Sequence, residues 1–150
     1  MESLKQLQLD IPNKSYPQVG VYCGGRPRPE QLDQAKAMGV FAVINLCPTS
    51  EACNFDEEEE VRRLGLTYTN IPISGPADLT VENVTLLAQA LTTASATHPV
   101  LLHCASSNRV GALLALKASW IDGQSPEDAI ALGVAGGLTG LLPVVQQLLA

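Results

Sequence analysis

Apolar residues gather along this chain in short unbroken runs separated by polar stretches. FAVINL (41–46) and HPVLLHC (98–104) are continuous in the way of strands covered on both faces of a sheet. VGVYC (19–23), ended by Gly24-Gly25, and LTYTNIPI (66–73) complete four predicted strands. Helical segments lie between them. Pro29 opens one that runs to Met38 and stops at Gly39. The acidic run 56–60 leads into VRRLG. Acids in front and arginines behind complement a helix dipole, so the run reads as a solvated helix end and not as a carboxylate site. Thr80 caps a helix through about Ala96. RVGALLALKASWI, from Arg109, is apolar almost all round and predicts a helix buried on most sides. Ser125-Pro126-Glu127-Asp128 supplies cap, first-turn proline and acids, and a short last helix starts near Thr139.

Alternating strands and helices predict an α/β, three-layer fold. Its central, mainly parallel sheet has about four to five strands, with helices on both faces. Neither a repeat nor a linker divides the chain, so residues 1–150 read as one domain, with 1–18 as an N-terminal extension. Aromatics make up only 4% of the chain, which leaves an aliphatic core. The net charge of −6 argues against a broad nucleic-acid surface, which needs a basic stripe. No stretch reaches the roughly 18 apolar residues of a membrane span. MESLKQLQLD lacks the apolar core of a secretion signal, so the expectation is a cytoplasmic protein with no membrane partner. Cys23, Cys47, Cys53 and Cys104 show no C-x-x-C spacing, and only His98 and His103 could join them around a metal; reduced thiols and no metal are expected.

One stretch breaks the pattern. In VLLHCASSNRVGALLAL (100–116) a polar insert divides two segments that both have to be buried. In a parallel sheet, ligands bind where carboxyl ends of strands lead into helices. Cys104 stands at that place. The loop after it opens the buried helix, so backbone N–H groups and the positive helix end converge there. Such a setting binds anions and favours a thiolate. Arg109 adds a planar, permanently charged fork suited to an oxyanion. His103 reads as a residue that orients the loop.

H-C-x-x-x-x-R between a buried strand and helix resembles the signature of cysteine-dependent phosphatases. It is closer still to the bacterial, non-classical tyrosine-phosphatase-like family related to the phosphatase domain of beta-lactamase-hydrolase-like proteins. VYCGGRP, GVFAVINL and IPISGPADLT extend the resemblance over roughly residues 19 to 138. It implies a phosphotyrosine-phosphatase-like fold, phosphomonoester hydrolysis through a phosphocysteine on Cys104, and no cofactor. Ala105, Ser106, Ser107, Asn108 and Arg109 would hold the phosphate, and Asp78 would be the general acid. The substrate would be a phosphorylated small molecule or a phosphoprotein.

Four positions depart from the pattern. Classical phosphatases place five residues between cysteine and arginine, whereas four separate Cys104 from Arg109, a spacing shared with the bacterial family and with rhodanese-type sulfurtransferases. Ser107 stands where related loops carry glycine, Val110 where a Ser or Thr is common, and Cys47 where relatives carry arginine. A sulfurtransferase using the same cysteine and a weakly active or inactive anion-binding module therefore remain as alternatives. Cys23, Cys47 and Cys104 all fall near carboxyl ends of strands, which makes Cys47 a possible redox partner of Cys104. Asn108, a residue tolerant of left-handed backbone, could widen the loop.

Overall fold

The computed structural model describes residues 9–51 and 53–150. Five strands form a single sheet in the order β1-β2-β5-β3-β4. These are β1 (Ser15–Gln18), β2 (Val21–Gly24), β3 (Ala42–Asn45), β4 (Thr67–Asn70) and β5 (Val100–His103). All neighbours run parallel except β1, which pairs antiparallel with β2. The architecture is the α/β fold expected from the alternation.

β2, β3 and β5 are buried on both sides, and the period of two sorts their residues between two cores. Val21, Cys23, Ala42, Ile44, Val100 and Leu102 face one core; Tyr22, Val43 and Leu101 face the other. The second core is closed by α1 (Pro29–Ala37) and α2 (Glu57–Arg63). The first is closed by α3 (Val81–Ala90), α4 (Asn108–Trp120), α5 (Pro126–Ala135) and α6 (Leu142–Leu149). Three-layer packing follows from the apolar residues that the three inner strands, β2, β5 and β3, present to both faces.

The sequence-based boundaries shift in three places. Of the expected N-terminal extension, residues 1–8 lie outside the described residues; the rest packs onto the domain. Leu9 and Ile11 are buried, and Ser15–Gln18 forms the fifth strand. The helix from Thr80 ends at Ala90 and not near Ala96, with turns at 91–93 before the next strand. The last helix starts at Leu142, after turns at 136–137 and 140–141.

α4 crosses α5 with almost no gap. A Cβ on Gly111 would stand 2.2 Å from Leu138 N and 2.4 Å from Gly133 O, so only glycine allows this approach. The crossing fixes the N-terminus of α4, and with it the loop that precedes it. Among the described residues no helix is long and apolar enough to cross a membrane.

Candidate active site

β5 is the central strand, and its carboxyl end is where the site is built. The register runs Gly24, His103 and Asn45 across β2, β5 and β3. The residue after β5 is Cys104, fully buried in the core beneath α3 to α6. The chain then turns over Ala105 and Ser106, both exposed, into α4 at Asn108. Its outer side is braced by Gly25, which bridges to Ser106, and by Asn13 Nδ2, which donates to Ser106 O at 3.0 Å.

Ser107 closes the turn. Its backbone lies in the left-handed region, φ 74 and ψ 0. This puts its N–H 3.1 Å from Cys104 Sγ, a donor aimed at the sulfur. The conformation suits glycine and costs serine about 1 kcal/mol or more. A buried hydrogen bond offsets this: Ser107 Oγ donates to Gly136 O at 2.6 Å. The left-handed residue is therefore Ser107 and not Asn108. Asn108 begins the helix, and its Oδ1 accepts from the N–H groups of Thr139 and Leu141 at 2.9 and 3.2 Å. It thus anchors the loop to the α5–α6 connection and does not widen it.

Arg109, on the first turn of α4, reaches back over the same edge of the sheet. A guanidinium has five N–H donors. Nη1 donates to Glu51 Oε2 at 2.5 Å and to Ile73 O at 2.8 Å. Nη2 donates to Glu51 Oε1 at 3.1 Å and lies 3.8 Å from Cys47 Sγ. Four donors are thus engaged, and Nε–H has no partner among the described residues. The Glu51 hydrogen bonds raise the guanidinium pKa above its ordinary value. Reciprocally, they hold the Glu51 carboxyl below the usual carboxylate range. Glu51 sits in the loop after β3, and no sequence pattern links it to a residue 58 positions on.

His103 is fully buried. Its side chain leaves the sheet on the face opposite to Cys104, toward α2, where Nε2 lies 2.6 Å from Glu57 Oε2. Nδ1 lies 3.2 Å from Cys104 O. Glu57 belongs to the acidic run read as solvent-facing, and for this residue that reading is corrected: it is only 6% exposed. Asp56 does cap α2, accepting from Glu59 N, and Glu58 pairs with Arg62 at the surface. The helical dipole logic holds for those two residues, while Glu57 faces inward.

Asp78 ends a short 3-10 turn, Pro76–Asp78, five residues beyond the Ile73 carbonyl that Arg109 holds. Its Oδ2 accepts from Ser74 N at 2.7 Å. Cys47, after β3, is buried in the same core as Cys23 and Cys104, and burial pushes its thiol up to about 12. Burial also raises the pKa of Cys23. All the cysteines are free thiols, and among the described residues no group of three His, Cys, Asp or Glu stands together as a metal site would need.

No protein-family model matches the chain, and no match to a curated protein reaches significance. Solved structures do match. A candidate phosphatase (DUF442) from Shewanella putrefaciens CN-32 superposes with a TM-score of 0.72 at 22% identity, over 97% of this chain and 95% of that one. A candidate phosphatase from Neisseria meningitidis gives 0.72 at 16% identity, over 89% and 96%. TpbA from P. aeruginosa, in complex with pTyr, gives 0.59 at 16% identity, over 88% and 78%. The fold of this chain is that of the cysteine-dependent, tyrosine-phosphatase-like phosphatases.

Proposed function

We propose that the chain is a cysteine-dependent phosphatase acting on phosphomonoesters. The observation that carries this reading is the Ser107 N–H directed at Cys104 Sγ, in a loop between the central strand and a buried helix with Arg109 on its first turn. In this reading Cys104 sulfur attacks phosphorus and the ester oxygen departs with its electron pair, taking a proton from Asp78. Water then attacks the phosphocysteine, giving up a proton to Asp78 and releasing phosphate and the thiolate. Loop amides and Arg109 balance the charge that develops on the phosphoryl oxygens. Asp78 would exchange its Ser74 contact for the leaving oxygen. His103 and Glu57 hold the strand end beneath the nucleophile.

The substrates are phosphorylated small molecules or phosphoproteins, pTyr among them, since TpbA shares the fold and was solved with it. A loop one residue short favours small or activated esters over bulky phosphopeptides. The same short loop favours, as second reading, sulfur transfer through a persulfide on Cys104.

Steady-state hydrolysis of p-nitrophenyl phosphate tests the proposal. Cys104→Ser abolishes turnover and spares phosphate binding, because the amides remain; Arg109→Ala weakens binding as well. Full activity in Cys104→Ser refutes the nucleophile. Thiosulfate:cyanide transfer that outpaces aryl phosphate hydrolysis replaces the phosphatase reading with the sulfurtransferase one.

A further inference from the structure

A cleft of about 400 Å3 opens beside the loop, between the segment after β3 and the start of α2. It adjoins the anion site through two wall residues. Glu51 holds Arg109, and the backbone N–H of Arg26 donates to Ala105 O at 3.3 Å. Its chemistry is opposite to that of the loop. Asp56, Glu57 and Glu58 join Glu51 in its wall, against one guanidinium, Arg26, itself 3.6 Å from Glu51. Two aromatic rings, Phe55 and Tyr68, face the same space.

Most of these acids have partners. Glu58 pairs with Arg62, Asp56 accepts from Glu59 N, and Glu57 Oε2 is held by His103. The exception is the second oxygen of Glu57. Oε1 is buried on a side chain only 5% exposed, and it has no hydrogen-bond partner among the described residues. An unmet buried acceptor of this kind costs about 1–3 kcal/mol, more when charged. The wall's amide donors are engaged: Asn45 Nδ2 with Tyr68 Oη, and Asn70 Nδ2 with Asn45 O and Cys47 O. A second anion would meet carboxylates here. Acidic charge, aromatic faces and an unfilled acceptor in one concavity suit an ammonium group.

The geometry points to a leaving-group subsite: with phosphate on the 104–109 loop, the cleft takes the cationic end of an amino-alcohol phosphate. This inference rests on the phosphatase reading and adds the substrate class to it. The ammonium would stand against the rings of Phe55 and Tyr68, with the Glu57 carboxylate as its counter-charge. Arg26, kept by Glu51, would mark the boundary between the anionic and cationic halves of the ligand.

The test is calorimetric titration of the full chain carrying Cys104→Ser. The probes are phosphoethanolamine, whose ammonium carries N–H donors for Glu57 Oε1, and propyl phosphate, which matches its shape without the charge. Phosphoethanolamine is expected to bind at least tenfold more tightly. Adding Glu57→Gln or Phe55→Leu brings the ratio toward one, and because it is a ratio, a general weakening of the loop cancels. Phe55 packs against the second core, which contains no residue of the 104–109 loop, so Phe55→Leu decides if Glu57→Gln fails to fold. Equal binding of the two probes, or preference for the neutral one, overturns the subsite. Wild-type turnover of p-nitrophenyl phosphate separates the two levels. Turnover without charge preference sinks the subsite alone. Charge preference with no turnover of any ester sinks the phosphatase reading and, with it, the role of the cleft as a leaving-group site.

Discussion

Ser107 offers the sharpest quantitative test, because two opposed effects meet at one residue. Its left-handed backbone favours glycine by about 1 kcal/mol over a residue with a Cβ. Its hydroxyl holds the buried carbonyl of Gly136 at 2.6 Å. Removing that donor strands the carbonyl, for about 1–3 kcal/mol. Ser107→Ala keeps the strain and loses the hydrogen bond, so it should destabilise by about 2 kcal/mol. Ser107→Gly loses the same bond but relieves the strain, leaving a deficit of about 1 kcal/mol. For a chain of 150 residues each step is worth roughly 2–4 °C in melting temperature. Urea unfolding followed through the fluorescence of Trp120 gives the order directly, with wild type above the glycine variant and glycine above alanine. Both variants keep the backbone N–H on Cys104 Sγ, so aryl phosphate turnover should follow loop order and rank the same way. An alanine variant as stable as the glycine one would show that the backbone is unstrained. A glycine variant more stable than wild type would show that the hydroxyl contributes less than the backbone strain costs.

Four further outcomes are expected. Asp78→Asn should slow alkyl phosphates far more than aryl phosphates, whose leaving groups need little protonation; equal slowing of both would return Asp78 to holding the Ser74 turn. Mild peroxide should oxidise Cys104 and then yield a 47–104 disulfide with loss of water. The register places Cys47 one step beyond the neighbour of Cys104, and burial of the Cys47 thiol makes closure slow; peptide mapping that finds only over-oxidised Cys104 excludes it. Glu51→Gln should tighten inorganic phosphate about fivefold by removing on the order of 1 kcal/mol of repulsion from a partly exposed site. Because Arg109 lowers the Glu51 carboxyl, the pair stabilises the fold above the ordinary carboxylate range. That contribution is lost as pH falls through the lowered value, so wild type and Glu51→Gln should converge in acid; a constant gap in unfolding midpoint would refute the linkage.

How much of this was legible in the sequence depends on how far apart the interacting residues lie. Continuous apolar strands at 41–46 and 98–104 announce burial on both faces, and the three-layer fold follows from them. The loop at 104–109 was legible because the residues that make it are consecutive. Pairs joined only by topology left no trace. Glu57 sits in a run of acids whose local pattern fits a solvated helix end, and its partner His103 lies 46 residues away. Glu51 and Arg109 are 58 apart. Ser15–Gln18 hides for a different reason: SYPQ is polar and half-buried throughout, and a proline in an edge strand gives neither alternation nor an apolar run. LTTASAT contains no glycine or proline, so nothing in the pattern marks the end of the Val81 helix at Ala90.

The loop does not hold its shape alone. Ser107 donates to Gly136, and Asn108 gathers the amides of Thr139 and Leu141, so the six-residue loop is moored to the connection between α5 and α6. Mooring acts in both directions, since whatever steadies one end must steady the other by the same free energy. An anion seated on the loop should therefore slow hydrogen exchange at the Thr139 and Leu141 amides, over thirty residues along the chain from the nucleophile. Those two amides become a reporter of occupancy that needs no turnover, which would let ligands be ranked on the Cys104→Ser protein.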